Sequence, residues 1–126
     1  MAVSEISLES ARVIEQLRAH AATCAAPGWD GYGGEPVSAD ALAAAIAFVE
    51  AIPEGVEMPA VGAEPDGHIT LEWYRSPEQV LSVSVAPDRM IYYAAILGVG
   101  RANGAELFSD AVPDPILRLI SRLPRA

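Results

Sequence analysis

Apolar positions along the chain recur first at helical spacing and then, past about residue 58, at every second residue. Residues 4–25 predict a helix: Ile6, Val13, Ile14, Leu17, Ala21 and Cys24 share a face. Glu5, Glu9, Arg12, Glu15 and Arg18 fall mostly on the other. Acids lead its first turns, where they suit the helix dipole, and Pro27-Gly28 denies it continuation. A second helix is predicted over 39–51. Ser38 stands as its N-cap and Asp40 in its first turn. Leu42, Ile46, Phe48 and Val49 are its expected buried face, and Pro53 and Gly55 end it.

The period of two predicts five strands, "PAVGAE", "HITLEWYR", "QVLSVSVA", "MIYYAAIL" and "GAELFS", separated by turn signals. Pro65-Asp66-Gly67 suits a type I turn with a left-handed bulge residue after it. That turn pairs Ala63 with Ile69 and Val61 with Leu71. Leu81, Val83 and Val85 join the same face only if Trp73 lies opposite Leu81. The connection through Ser76-Pro77-Glu78 must then hold an odd number of residues, because a slip of one flips the strand. Pro87-Asp88-Arg89 resembles the first turn, with Arg89 where glycine stood. The same geometry predicts a positive φ for Arg89, uncommon for a non-glycine residue. Ile91, Tyr93, Ala95 and Leu97 then complete the core face.

The opposite face carries Thr70, Glu72, Tyr74, Ser82, Ser84, Met90, Tyr92, Ala94 and Ile96. A covering helix or a binding role would each explain it. "DPILRLISRL" predicts a short closing helix with Ile116, Leu119, Ile120 and Leu123 inward and Pro115 in its first turn. The expected architecture is α+β: two N-terminal helices, an antiparallel meander of four or five strands, and one short C-terminal helix. The 126 residues fit one domain, 1–126.

Charge narrows the partners. The formal net charge is −9, and all eight basic residues are arginines. Without a cationic cluster to displace counterions, direct nucleic-acid binding is not expected. A basic protein partner suits this charge. Residues 1–20 read as a helix and not as a signal peptide. The apolar run "ALAAAIAFV" is too short to span a bilayer. A cytoplasmic protein with no membrane partner is therefore expected. The mean hydropathy of +0.25 is high for so acidic a chain and leaves apolar surface for a partner.

Candidate chemistry is thin. "PGWDGYGGEP" at 27–36 packs four glycines, two aromatics and two carboxylates into ten residues. It lies between helices and lacks the strand, the lysine and the helix N-terminus of a phosphate loop. Trp29 is expected to bury its ring and Asp30 to accept backbone N–H groups. Loops on a rigid scaffold often carry binding residues, so Trp29, Asp30, Tyr32 and Glu35 are candidates. Glu72, Tyr74 and Tyr92 on the second sheet face join them. His20 and Cys24, four residues apart, fall short of a zinc set, and no metal or cofactor is expected. Ser82 and Ser84 have no signalled histidine neighbour, and nothing pairs Glu72 with a second carboxylate. No catalytic residues are assigned.

Trp29-Asp30-Gly31-Tyr32-Gly33 with Pro36, then Pro65-Asp66-Gly67, Leu71-Glu72-Trp73, Leu81 to Val85 and Tyr92-Tyr93-Ala94, resemble a family of small bacterial proteins of unassigned function. These share a "WDGYG…P" loop followed by such strand motifs. The resemblance spans roughly residues 28–110, with Arg89 departing from the expected glycine. It implies that loop and sheet form one unit, and it brings no activity or cofactor.

The expected function is a small protein-interaction module, such as an antitoxin- or immunity-like inhibitor or an accessory subunit. The alternative is a small-molecule binder or enzyme with a pocket between the 29–35 loop and the sheet. Self-association through Met90, Tyr92 and Ile96 into a symmetric dimer is a third expectation.

Overall fold

A computed structural model describes residues 8–23, 37–63 and 67–124. The loop candidates Trp29, Asp30, Tyr32 and Glu35, together with Ile6 and Cys24, lie outside the described residues. The elements are α1 (Leu8–Thr23), α2 (Ala39–Glu50), β1 (Ala60–Ala63), β2 (Ile69–Ser76), β3 (Gln79–Val85), β4 (Met90–Leu97), β5 (Gly100–Leu107) and α3 (Asp114–Arg122). The strands form one antiparallel meander in the order β1-β2-β3-β4-β5. This is the expected α+β fold.

Alternating side chains give the sheet two unlike faces. Ile69, Leu71, Trp73, Leu81, Val83, Val85, Ile91 and Ala95 are buried on one. They share a cluster with Ala41, Ala44, Ala45, Phe48 and Val49 of α2 and with Ile116, Leu119 and Ile120 of α3. Helix α2 therefore presents alanines to the core beside Phe48 and Val49, which are buried as expected, while Leu42 and Ile46, also expected to be buried, are half-buried. Leu42 and Ile46 pack against this cluster without being enclosed by it. Val13 and Leu17 bring α1 into the same core, where it packs on α2 and beside β1.

The register follows the apolar alternation. Trp73 faces Leu81 and Leu71 faces Val83. The odd count between Trp73 and Leu81 is met by a two-residue turn, Pro77-Glu78, plus an irregularity between Tyr74 and Ser76. Arg75 is the extra residue. Such a bulge re-aims a side chain, and here the Arg75 guanidinium pairs with the Glu57 carboxylate and donates to the Pro124 carbonyl. The Trp73 indole donates to the Glu57 carbonyl at 2.9 Å, so residue 57 is held from two sides.

Arg89 has φ 72°. Its amide donates to Ala86 O at 3.0 Å, closing the turn. Its guanidinium lies 5.0 Å from the Phe108 ring centroid and donates to the carbonyls of Phe108 and Ser109 at 3.2 and 2.9 Å. These contacts offset the left-handed backbone and tie the β3–β4 turn to the end of β5.

Strand β5 begins at Gly100, four residues before the expected "GAELFS". Its first half, "GRANG", has little strand propensity and is ordered by pairing with β4. Gly104 faces Tyr93, whose ring crosses the position a side chain would take. A Cβ there would stand 2.6 Å from Tyr93 Cζ.

Candidate functional site: an open sheet face and the groove beside it

No described helix packs on the second face of the sheet. The register places its outward residues in rows across β2, β3, β4 and β5. Tyr74, Val80, Ile96 and Arg101 form one row; Glu72, Ser82, Ala94 and Asn103 the next; Thr70, Ser84, Tyr92 and Ala105 a third. An apolar and aromatic row thus borders a polar one. Tyr74 is 54% exposed, Tyr92 44% and Leu107 66%. For large apolar side chains these values mark a surface that no described element covers.

The rows carry their own hydrogen bonds. Ser82 Oγ donates to Glu72 Oε2 at 3.3 Å. His68 Nδ1 and Ser84 Oγ are 3.1 Å apart, and the His68 ring stacks on Tyr92 with centroids 6.0 Å apart and planes 12° off parallel. This histidine neighbour of Ser84 was not signalled by motif or spacing. The parity of the strand held the clue: His68, Thr70 and Glu72 alternate onto one face. Proximity of serine and histidine does not by itself make a nucleophile. An acyl-transfer site also needs donors aimed at the developing oxyanion, whereas Ser84 sits mid-strand between two ladder partners, Thr70 and Tyr92.

Beyond β1 the open face continues into a groove of about 480 Å³. Glu9, Arg12 and Gln16 line it from α1, Glu57 and Met58 from the segment before β1, and Glu72 and Tyr74 from β2. The helix places its three residues at spacings of three and four, hence on one face. Of the sequence-predicted residues, Glu72 and Tyr74 therefore meet in one groove. Tyr92 shares their face but sits two strands away, against His68. The contributions of Glu9, Arg12, Gln16 and Glu57 were missed, because only the packing of α1 beside β1 brings them there.

Glu57 is engaged by Arg75. Glu9 and Glu72 supply further negative charge, and Arg12 is the cation among the described lining residues. Among the described residues no group of three or more histidine, cysteine, aspartate or glutamate side chains could hold a metal ion. Among them, too, no helix is long and apolar enough to cross a membrane. No family model, curated protein or solved structure matches the chain.

Proposed function

We propose that this chain is a small, non-catalytic protein-interaction module of the cytoplasm, an antitoxin- or immunity-like inhibitor or an accessory subunit. It binds a basic partner through the open sheet face and the groove beside it. The observation that carries this reading is the exposed Tyr74 ring, standing between an uncovered sheet face and a groove that also holds Glu9, Glu57 and Glu72. An arginine or lysine of the partner lies over Tyr74, where the ring quadrupole attracts a cation, and pairs with Glu72. The chain's net charge of −9 steers the encounter at long range and governs association rate more than affinity. Tyrosine is a favoured anchor at such surfaces because its body is apolar and its tip polar.

The test is affinity capture from the native host beside a Glu72→Arg/Tyr74→Ala variant shown to be folded. The wild type is expected to hold one stoichiometric basic protein, less of it as salt rises, and the variant none. Equal capture by both, or capture indifferent to salt, refutes the assignment. The groove volume falls within the range of roughly 300–1,000 Å³ typical of small-molecule sites, which favours a bound metabolite as the second reading. A thermal-shift screen tests it: a ligand at a hundred times its Kd adds about 2.7 kcal/mol, a shift of several degrees.

A further inference from the structure

Resting on the reading of the open face as a docking surface, we infer that, when no partner is bound, its occupant is a second copy of this chain. The copies sit face to face about a twofold axis that runs close to the strand direction.

The charge of the face points to this occupant. The chain carries −9 overall, yet the three paired rows hold one carboxylate, Glu72, and one guanidinium, Arg101. A nearly balanced face suits a copy of itself, whereas the acids lining the groove suit a basic partner.

The register supplies the complementarity. An axis close to the strand direction and midway between β3 and β4 sets β2 of one copy over β5 of the other. Every row then meets itself. Tyr74 lies over the other copy's Arg101, a cation–π contact made twice by symmetry. Val80 meets Ile96, and Glu72 meets Asn103, whose amide donates to the carboxylate. A twofold perpendicular to the strands would instead set Arg101 near Leu107 and leave Glu72 beside Thr70. Face-to-face sheets pack at about −30°, so the axis lies about 15° from the strands, and the Tyr74–Arg101 and Glu72–Asn103 side chains span the offset of a few ångströms this creates between β2 and β5.

Size sets the strength. Four strands about 4.8 Å apart, rising about 3.4 Å per residue over seven or eight residues, present a patch of roughly 500 Å². Two copies cover about 1,000 Å², the lower bound for a specific interface. The dimer therefore exchanges, and it competes with the partner because both use Glu72 and Tyr74.

Sedimentation of the full chain, from micromolar to about millimolar protein and from about 0.1 M to about 1 M salt, tests this. Over that range the screening length falls from about 10 Å to about 3 Å. Self-association strengthens with salt, because two −9 chains repel, whereas capture of a basic partner weakens; the two readings therefore fail separately. Asn103→Glu sets two carboxylate pairs across the axis and weakens the dimer at least tenfold. Asn103→Arg, facing Glu72, tightens it. Both are read after circular dichroism shows the native fold, and position 103 is exposed on its strand. A chain monomeric throughout overturns the proposal. So does a dimer that Asn103→Glu and Asn103→Arg leave as strong as wild type.

Discussion

Gly104→Ala tests how the outermost strand is attached. A methyl at 104 would stand 2.6 Å from Tyr93 Cζ and 3.0 Å from Cε1, where carbon atoms prefer about 3.5–4.0 Å. The ring must retreat by about 1 Å. It is rigid beyond Cβ, so its hydroxyl end cannot yield alone and the whole side chain has to turn off its minimum. Overpacking of this kind costs about 1–3 kcal/mol. Replacing a strand glycine by alanine returns about 0.5–1 kcal/mol of backbone entropy. The net expectation is a loss of about 0.5–2 kcal/mol in urea unfolding. In a Tyr93→Val background the collision is gone, and the same substitution should stabilise by about 0.5–1 kcal/mol. The sign reversal is the signature. A coupling energy below about 0.5 kcal/mol, the level at which independent sites add, would refute the claim that Tyr93 covers Gly104.

Ser38→Ala removes the hydroxyl that accepts from Ala41 N at 3.1 Å and should cost about 1 kcal/mol in chemical denaturation. Arg89→Gly and Arg89→Ala both lose the guanidinium clamp on Phe108 and Ser109, but only alanine keeps a Cβ at φ 72°. The glycine variant should be the more stable by about 1 kcal/mol, read from paired melts. Trp73→Phe leaves the Glu57 carbonyl without its indole donor and opens a void in the core. A loss of about 2–3 kcal/mol is expected in equilibrium unfolding.

The central hairpins were legible because alternation and turn chemistry agreed. Once Trp73 and Leu81 had to share a face, parity constrained the β2–β3 connection, and the Pro-Asp turn implied a left-handed Arg89. Alternation also put Glu72, Tyr74 and Tyr92 on one surface. The start of β5 was illegible, since Gly100 to Gly104 offers no apolar alternation and owes its strand form to β4. The face of α2 was legible in part: Phe48 and Val49 are buried as expected and Leu42 and Ile46 pack half-buried against the core, while the buried Ala41, Ala44 and Ala45 carried no signal in their size. The groove could not be read at all from spacing. Glu9 and Tyr74 are far apart in sequence and meet only because α1 packs beside β1, a tertiary outcome that no local period encodes.

The meander order carries a kinetic consequence. Every strand pairs with its sequence neighbours, so no pairing waits for a distant segment to arrive. Loop closure is cheap at each strand pairing, so the described sheet itself has local contacts and should form fast for its class. The sheet can zip from β1 onward as each hairpin emerges from synthesis. Phe108 and Ile91, both fully sequestered in the finished fold, are translated before the helix that carries Ile116. The last described helix therefore acts as a seal. Until it docks, a growing chain carries an unfinished apolar surface, and that interval is when it is most exposed to aggregation or to a chaperone.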